Sequence, residues 1–195
     1  LKVRELATRK GIVLIFDECT SGFRETFGGL HSKYNVEPDM AMYGKALGNG
    51  YAITAVVGTK EVMSEAQSSF ISSTFWTERI GPAAAVKTLE VMENNKSWIE
   101  ITKIGNQVKK GWSDIASNNN LNLVHGGIPA LASFNIKSSI GNANLYKTFI
   151  TQEMLKRGFL ASNSFYASTS HDSETINTYL DSLNDLFHII GKCEG

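Results

Sequence analysis

IVLIFDECTSGFR, residues 12–24, runs five apolar residues into two acids and then into a glycine-containing turn. An apolar run of this length without polar alternation is the pattern of a strand buried on both faces, as in a parallel sheet flanked by helices. Before it, Gly11 is placed to cap an opening helix in which Leu1, Val3 and Leu6 are apolar. That helix lacks an N-cap residue and an initiator methionine, so the chain is expected to be the C-terminal portion of a longer one.

After the acids, residues 17–38 are glycine-rich and polar and read as loop, with a helical turn around LHSKY (30–34). DMAMYG (39–44) and AITAVVG (52–58) read as second and third short strands, and TKEVMSEA (59–66) as a helix opening on a threonine cap. Helices are then expected over PAAAVKTLEVME (82–93) and SWIEITKIGNQVKKGWSDIA (97–116). In the latter Trp98, Ile101, Ile104, Val108 and Trp112 recur every three or four residues, and only Gly105 weakens the pattern. NNNLNLVHGGIPALASFNI (118–136) reads as a turn-rich segment leading into two strands. Two more helices close the chain, over 143–158 and 173–192, the first ended by Gly158 and the second capped by Asp172 or Ser173. The elements predict an α/β fold divided at residues 1–96 and 97–195, the second part a small domain.

Nineteen basic and nineteen acidic residues cancel without a block of like charge, so neither nucleic acid nor an anionic membrane is an expected partner. Cys19 and Cys193 lie at opposite ends of the chain, far from the spacing of a zinc site or a disulfide scaffold. No apolar run reaches the ~18 to 20 residues of a membrane span, and no signal-peptide pattern opens the chain. A small polar metabolite, handled in the cytoplasm and without a metal ion, is the expected ligand class.

Open α/β sheets bind ligands beyond the carboxyl ends of their strands. The first expected strand ends at Asp17 and Glu18, and the second ends at Gly44 and Lys45. Taken singly, each has an ordinary reading: a solvated lysine, and acids that end a strand or cap a helix. Taken together, a buried acid and a lysine facing one cleft suit an amine nucleophile that forms a Schiff base with pyridoxal phosphate. A carboxylate such as Asp17 would keep that cofactor's ring nitrogen protonated.

LIFDECTSGFRETFGG (14–29) and PDMAMYGKALGNGYAITAVVG (38–58) resemble the signature of the class III aminotransferases, pyridoxal phosphate enzymes of fold type I. The likeness continues through SSTFWTERIGPAAAVKTLEVM (72–92), LKRGFLAS (155–162) and ASTSHDSETINTYLDSL (167–183), and is nearest to the glutamate-1-semialdehyde aminomutase branch. It implies the end of a large domain with a mostly parallel sheet, a linking helix and a small α+β C-terminal domain. It also implies that Lys45 bonds to the cofactor and moves protons, that Asp17 pairs with the pyridinium nitrogen, and that Thr74 reaches the cofactor phosphate of a second subunit. The implied protein is a homodimer with shared active sites, passing an amino group between an amine or amino acid and a carbonyl acceptor, or within one molecule as an aminomutase. Glu18 is expected to orient the loop or to pair with a base, and Arg24 either is its partner or lies outside the site.

The sequence departs from the family pattern at Tyr43, where a small or hydroxyl residue is usual, and at TERIG (77–81), which replaces a short turn. The family's phosphate loop and ring-stacking aromatic belong upstream of the aspartate strand. A racemase or decarboxylase would use the same lysine and aspartate. From a different class, the chain would be a non-catalytic piece acting only with a missing N-terminal half.

Overall fold

The computed structural model describes residues 1–141 and 143–195. The chain divides into two compact units, Leu1–Trp98 and Ile99–Gly195.

The first unit opens with α1 (Lys2–Lys10), closed by Gly11 in the left-handed conformation at φ +62°. Strand β1 (Ile15–Asp17) pairs in parallel with β2 (Met40–Tyr43), which pairs antiparallel with β3 (Ala55–Gly58). The parallel pair is joined through a long loop holding a 3₁₀ turn over Leu30–Tyr34, whereas the short connection from β2 reverses the chain into β3. Asp39 ties the layers together, accepting from the Leu14 N–H at 2.6 Å and pairing with Arg4 of α1 at 2.8 Å. Helix α2 (Lys60–Ser64) begins where Thr59 caps the Val62 N–H, and α3 (Ile80–Asn95) follows an exposed loop.

The apolar run that marks β1 is not buried on both faces in this chain: Ile12, Val13 and Ile15 are 57, 50 and 48% exposed. The reason is position in the sheet. The order is β1-β2-β3, so among the described residues β1 is an edge strand, paired on one side only, and the residue of this sheet shielded best is Ala41 of the central β2.

The second unit is better packed. Helix α4 (Ser97–Asn118) carries its periodic residues inward, with Val108 and Trp112 fully buried. They meet an antiparallel sheet of β4 (Asn122–Gly126), β5 (Leu131–Lys137) and β6 (Ser164–Tyr166). Helices α5 (Ala143–Lys156) and α6 (Ser173–Glu194) add Ile150, Met154, Leu183, Leu186, Phe187 and Ile190. Each such apolar side chain contributes about 1.5–3 kcal/mol by leaving water. Trp112 centres this core, its ring edge-on to Phe134 and its indole N–H donating to the Tyr179 hydroxyl at 2.9 Å.

Gly105, the weak point of the α4 pattern, is buried because the helix passes directly over the Pro129 carbonyl, where any Cβ would collide with backbone. A glycine costs a helix about 1 kcal/mol relative to alanine, and close approach here outweighs that loss. Gly158 ends α5 at φ +86°, and Asp172 caps α6 by accepting from the Thr175 N–H at 2.8 Å. Strand β6 has no sequence signal: three residues between Asn163 and Ala167 form a strand because β5 offers them an edge.

Glu194, at the end of α6, gathers the Ser138, Ser139 and Tyr146 hydroxyls and the Ser139 N–H, all at 2.5–2.6 Å. The three hydroxyls, Ser138 first, with the Ser139 N–H hold its carboxyl down to about 2, against an ordinary 4.5. Since the folded value lies below the unfolded one, the stabilisation is complete above about pH 4.5 and is lost as pH falls toward 2. Glu194→Gln is expected to lower resistance to denaturant at neutral pH and to flatten the acid-induced loss across that window. An unchanged acid slope in urea unfolding would show that the latch contributes nothing.

Candidate active site

The parallel pairing of β1 and β2 brings their carboxyl ends side by side. Asp17 lies opposite Met42, and the next residue, Glu18, donates its N–H to the Met42 carbonyl at 2.9 Å. Two residues beyond β2 the chain reaches Lys45.

The turn after β1 is fixed by local bonds. Asp17 Oδ1 accepts from the Cys19 N–H at 3.0 Å, an aspartate turn, and the Gly22 N–H donates to the Glu18 carbonyl at 2.8 Å. Asp17 itself is exposed and Glu18 is 4% exposed, so the buried acid is the second of the two. Adjacent strand residues face opposite ways, and the pairing with β2 decides which one turns inward.

Burial alone would raise the Glu18 pKa. The Ser21 hydroxyl and the Leu30 and His31 N–H groups overcome this and hold the carboxyl below its ordinary range. His31 also brings Nδ1 to 3.1 Å, and so supplies the base expected beside Glu18. Glu18 thus binds both ends of the loop that it starts.

Asp17 is held below the ordinary carboxylate range first by the Cys19 N–H, then by the Cys19 thiol, with a smaller contribution from the Lys45 charge. Burial, followed by the bond to Asp17 and its charge, pushes the Cys19 thiol up, so it stays protonated and donates.

Lys45 is exposed and adopts φ +45°, a left-handed conformation unusual for a residue with a side chain. A 3₁₀ turn over Lys45–Leu47 holds it there, its carbonyl accepting from Gly48 and Asn49 at 3.2 and 3.1 Å. Its Nζ donates to Thr20 Oγ1 at 2.5 Å, which places the amine over the turn that begins at Asp17. Thr20 was not among the expected site residues; its signal in the sequence was only its place between the acids and Gly22.

Tyr43 packs beneath the glycine loop, its ring 5.4 Å from that of Phe23. A Cβ on Gly22 would run into that ring at 2.7 Å, so the large residue before GK is matched by a glycine facing it. Thr74 lies in the exposed loop before α3, beside Phe75 and Trp76, which are 63 and 67% exposed. Among the described residues its hydroxyl makes no hydrogen bond, and nothing links it to Asp17 or Lys45.

An accessible primary amine and a carboxylate held in its charged form fit pyridoxal phosphate, the first for its aldehyde and the second for its ring nitrogen. The pattern for class-III aminotransferases matches residues 1–165, and the chain belongs to that family.

The chain is 36% identical over 151 residues to the 3-aminobutyryl-CoA aminotransferase of Cloacimonas acidaminovorans (strain Evry), covering 77% of this chain and 36% of that protein. It is 29% identical over 198 residues to the glutamate-1-semialdehyde 2,1-aminomutase of Methanosphaera stadtmanae, covering 93% and 46%. The FumI protein of Sphingopyxis sp. MTA144, solved in its PLP internal aldimine form, superposes with a TM-score of 0.88 at 20% identity, over 97% of this chain and 46% of that one. The fold is therefore that of fold-type I large-domain strands and helices followed by a smaller C-terminal unit. The chain spans less than half the length of these relatives. The aminotransferase is the more identical of the two curated relatives and the aminomutase likeness the more extensive, so the nearness to the aminomutase branch is not singled out.

Proposed function

We propose that the protein is a pyridoxal-phosphate-dependent aminotransferase that moves an amino group from an amine or amino acid to a carbonyl acceptor. The observation that carries this is the convergence of the Lys45 amine and the Asp17 carboxylate on one short turn at the ends of two parallel strands. The chemistry such a cofactor supplies is an aldehyde that takes up amines and a protonated ring that accepts the electron pair left when a substrate carbon loses its proton.

The chain's own residues do the rest. Lys45 Nζ would hold the cofactor covalently, and its amine, when free, would be the base that takes a proton from the substrate carbon and returns it. Asp17, kept charged by the Cys19 N–H and thiol, would hold the proton on the ring nitrogen. Glu18 anchors the loop that carries both. Leu1–Trp98 belongs in this reading to the cofactor-binding large domain, and Ile99–Gly195 is the small C-terminal domain. Thr74, on an exposed loop and with no hydroxyl hydrogen bond among the described residues, would hold the cofactor phosphate of a second copy, and the working unit would be a homodimer; the protein would act in the cytoplasm.

A second reading is an intramolecular aminomutase, favoured by the likeness to the Methanosphaera protein over 93% of the chain. Incubating the intact protein and pyridoxal phosphate with single amines, with and without added keto or aldehyde acceptors, separates the two. Product that needs a separate acceptor is the expected result. Rearrangement of one substrate without an acceptor would replace this reading by the aminomutase. Absence of any amine transfer across donor classes, together with no cofactor absorbance, would leave a non-catalytic chain.

A further inference from the structure

The Lys45 amine is not bonded to Asp17, although the charge of one acts on the other. It is bonded to Thr20, across 25 residues of sequence. A lysine side chain on the surface has many rotamers and an acid close by, and an ion pair is its natural resting place. That resting place would be harmful here, because it would occupy both the amine and the carboxylate that the site needs. Thr20 offers an alternative partner of a different kind. A hydroxyl accepts from an ammonium and can also donate to the lone pair of a neutral amine, whereas an ionised carboxylate only accepts and holds the ammonium by its charge.

Both ends of the contact are fixed. The Lys45 backbone is locked in its turn at φ +45°. Thr20 sits inside a turn held by the Asp17 bond to Cys19, the Gly22 bond to the Glu18 carbonyl and the Ser21 bond to the Glu18 carboxylate. Buried Glu18 ties that turn to His31, so Thr20 is carried on an anchored loop.

We propose that Thr20 is the positioning residue for the Lys45 amine: its hydroxyl is the berth at which that amine rests, clear of Asp17, whenever it is not bonded to the cofactor. This rests on the reading of Lys45 as the cofactor lysine.

The test uses the intact protein freed of cofactor and mixed with pyridoxal phosphate. The growth of the covalent adduct is followed by absorbance, and the adduct is fixed with borohydride and mapped. Thr20→Val is expected to form the Lys45 adduct about tenfold more slowly, because the amine without its berth is taken up by the Asp17 carboxylate and that charged contact must break before the amine can react. Thr20→Ser, which keeps the hydroxyl, is expected to recover most of the parent rate. If the valine variant does not fold, Thr20→Ala removes the hydroxyl without placing a new methyl in the turn and carries the same expectation. Parent-like rates in the valine or alanine variant, or a serine variant as slow as valine, overturn the berth. A parent adduct that maps to another lysine overturns the reading of Lys45 instead, and the two failures are distinct.

Discussion

Lys45→Ala is expected to abolish the borohydride-reducible adduct between the intact protein and pyridoxal phosphate, and amine transfer with it. The expectation follows from placement. Lys45 is the lysine whose charge acts on Asp17, and its amine stands over the turn that Asp17 begins. Other lysines are engaged elsewhere: Lys33 pairs with Glu25 at 2.5 Å, Lys87 with Glu90 and Lys110 with Asp114, both at 2.8 Å. The loss is of the whole signal, since among the described residues Lys45 is the lysine whose amine is bonded to that turn. Peptide mapping that finds the reduced adduct on Lys60 or Lys87 in the parent protein would refute the assignment.

Asp17→Ala is expected to leave the cofactor bound through Lys45 while slowing turnover by orders of magnitude. An unprotonated ring cannot take up the electron pair released at the substrate carbon, so the loss falls on the chemical step rather than on binding. Asp17→Glu should restore little. The aspartate turn places Oδ1 3.0 Å from the Cys19 N–H, and a longer arm gives up that bond as well as the position of the charge. The pH dependence follows from the same contacts. The Cys19 donors and the Lys45 charge lower the Asp17 pKa, so the carboxylate stays ionised below the usual carboxylate range, and activity on the acid side should not be limited by this group. Near-parent turnover in the alanine variant would mean that another group protonates the ring.

The strand ends could be read from the sequence because an apolar run stopping at charged residues is a local pattern, and so could α4 and α6, whose buried residues repeat at helical spacing. Asp17 and Lys45 were legible for the same reason: the first follows such a run directly and the second after one glycine. What the sequence did not carry depends on partners far along the chain. Whether Asp17 or Glu18 turns inward is set by pairing with β2, 25 residues later, and the reading of Asp17 as the buried acid was wrong on that point. The exposure of Ile12, Val13 and Ile15 depends on which strands flank β1. Strand β6 exists only as a complement to β5, and Tyr43, a departure in the linear pattern, is accommodated by the absence of a side chain at Gly22. Thr20 escaped notice because nothing in a tetrapeptide says which distant side chain will reach it.

The left-handed backbone at Lys45 sets stability against function at a single position. A residue with a Cβ at φ +45° is disfavoured there by roughly 1–3 kcal/mol, and a glycine would relax it. The turn that presents the amine is thus less stable for having a lysine in it, and random substitution filtered only for a well-folded chain would drift toward glycine at this site. A lysine that persists at such a position is held against that gradient by what its side chain does.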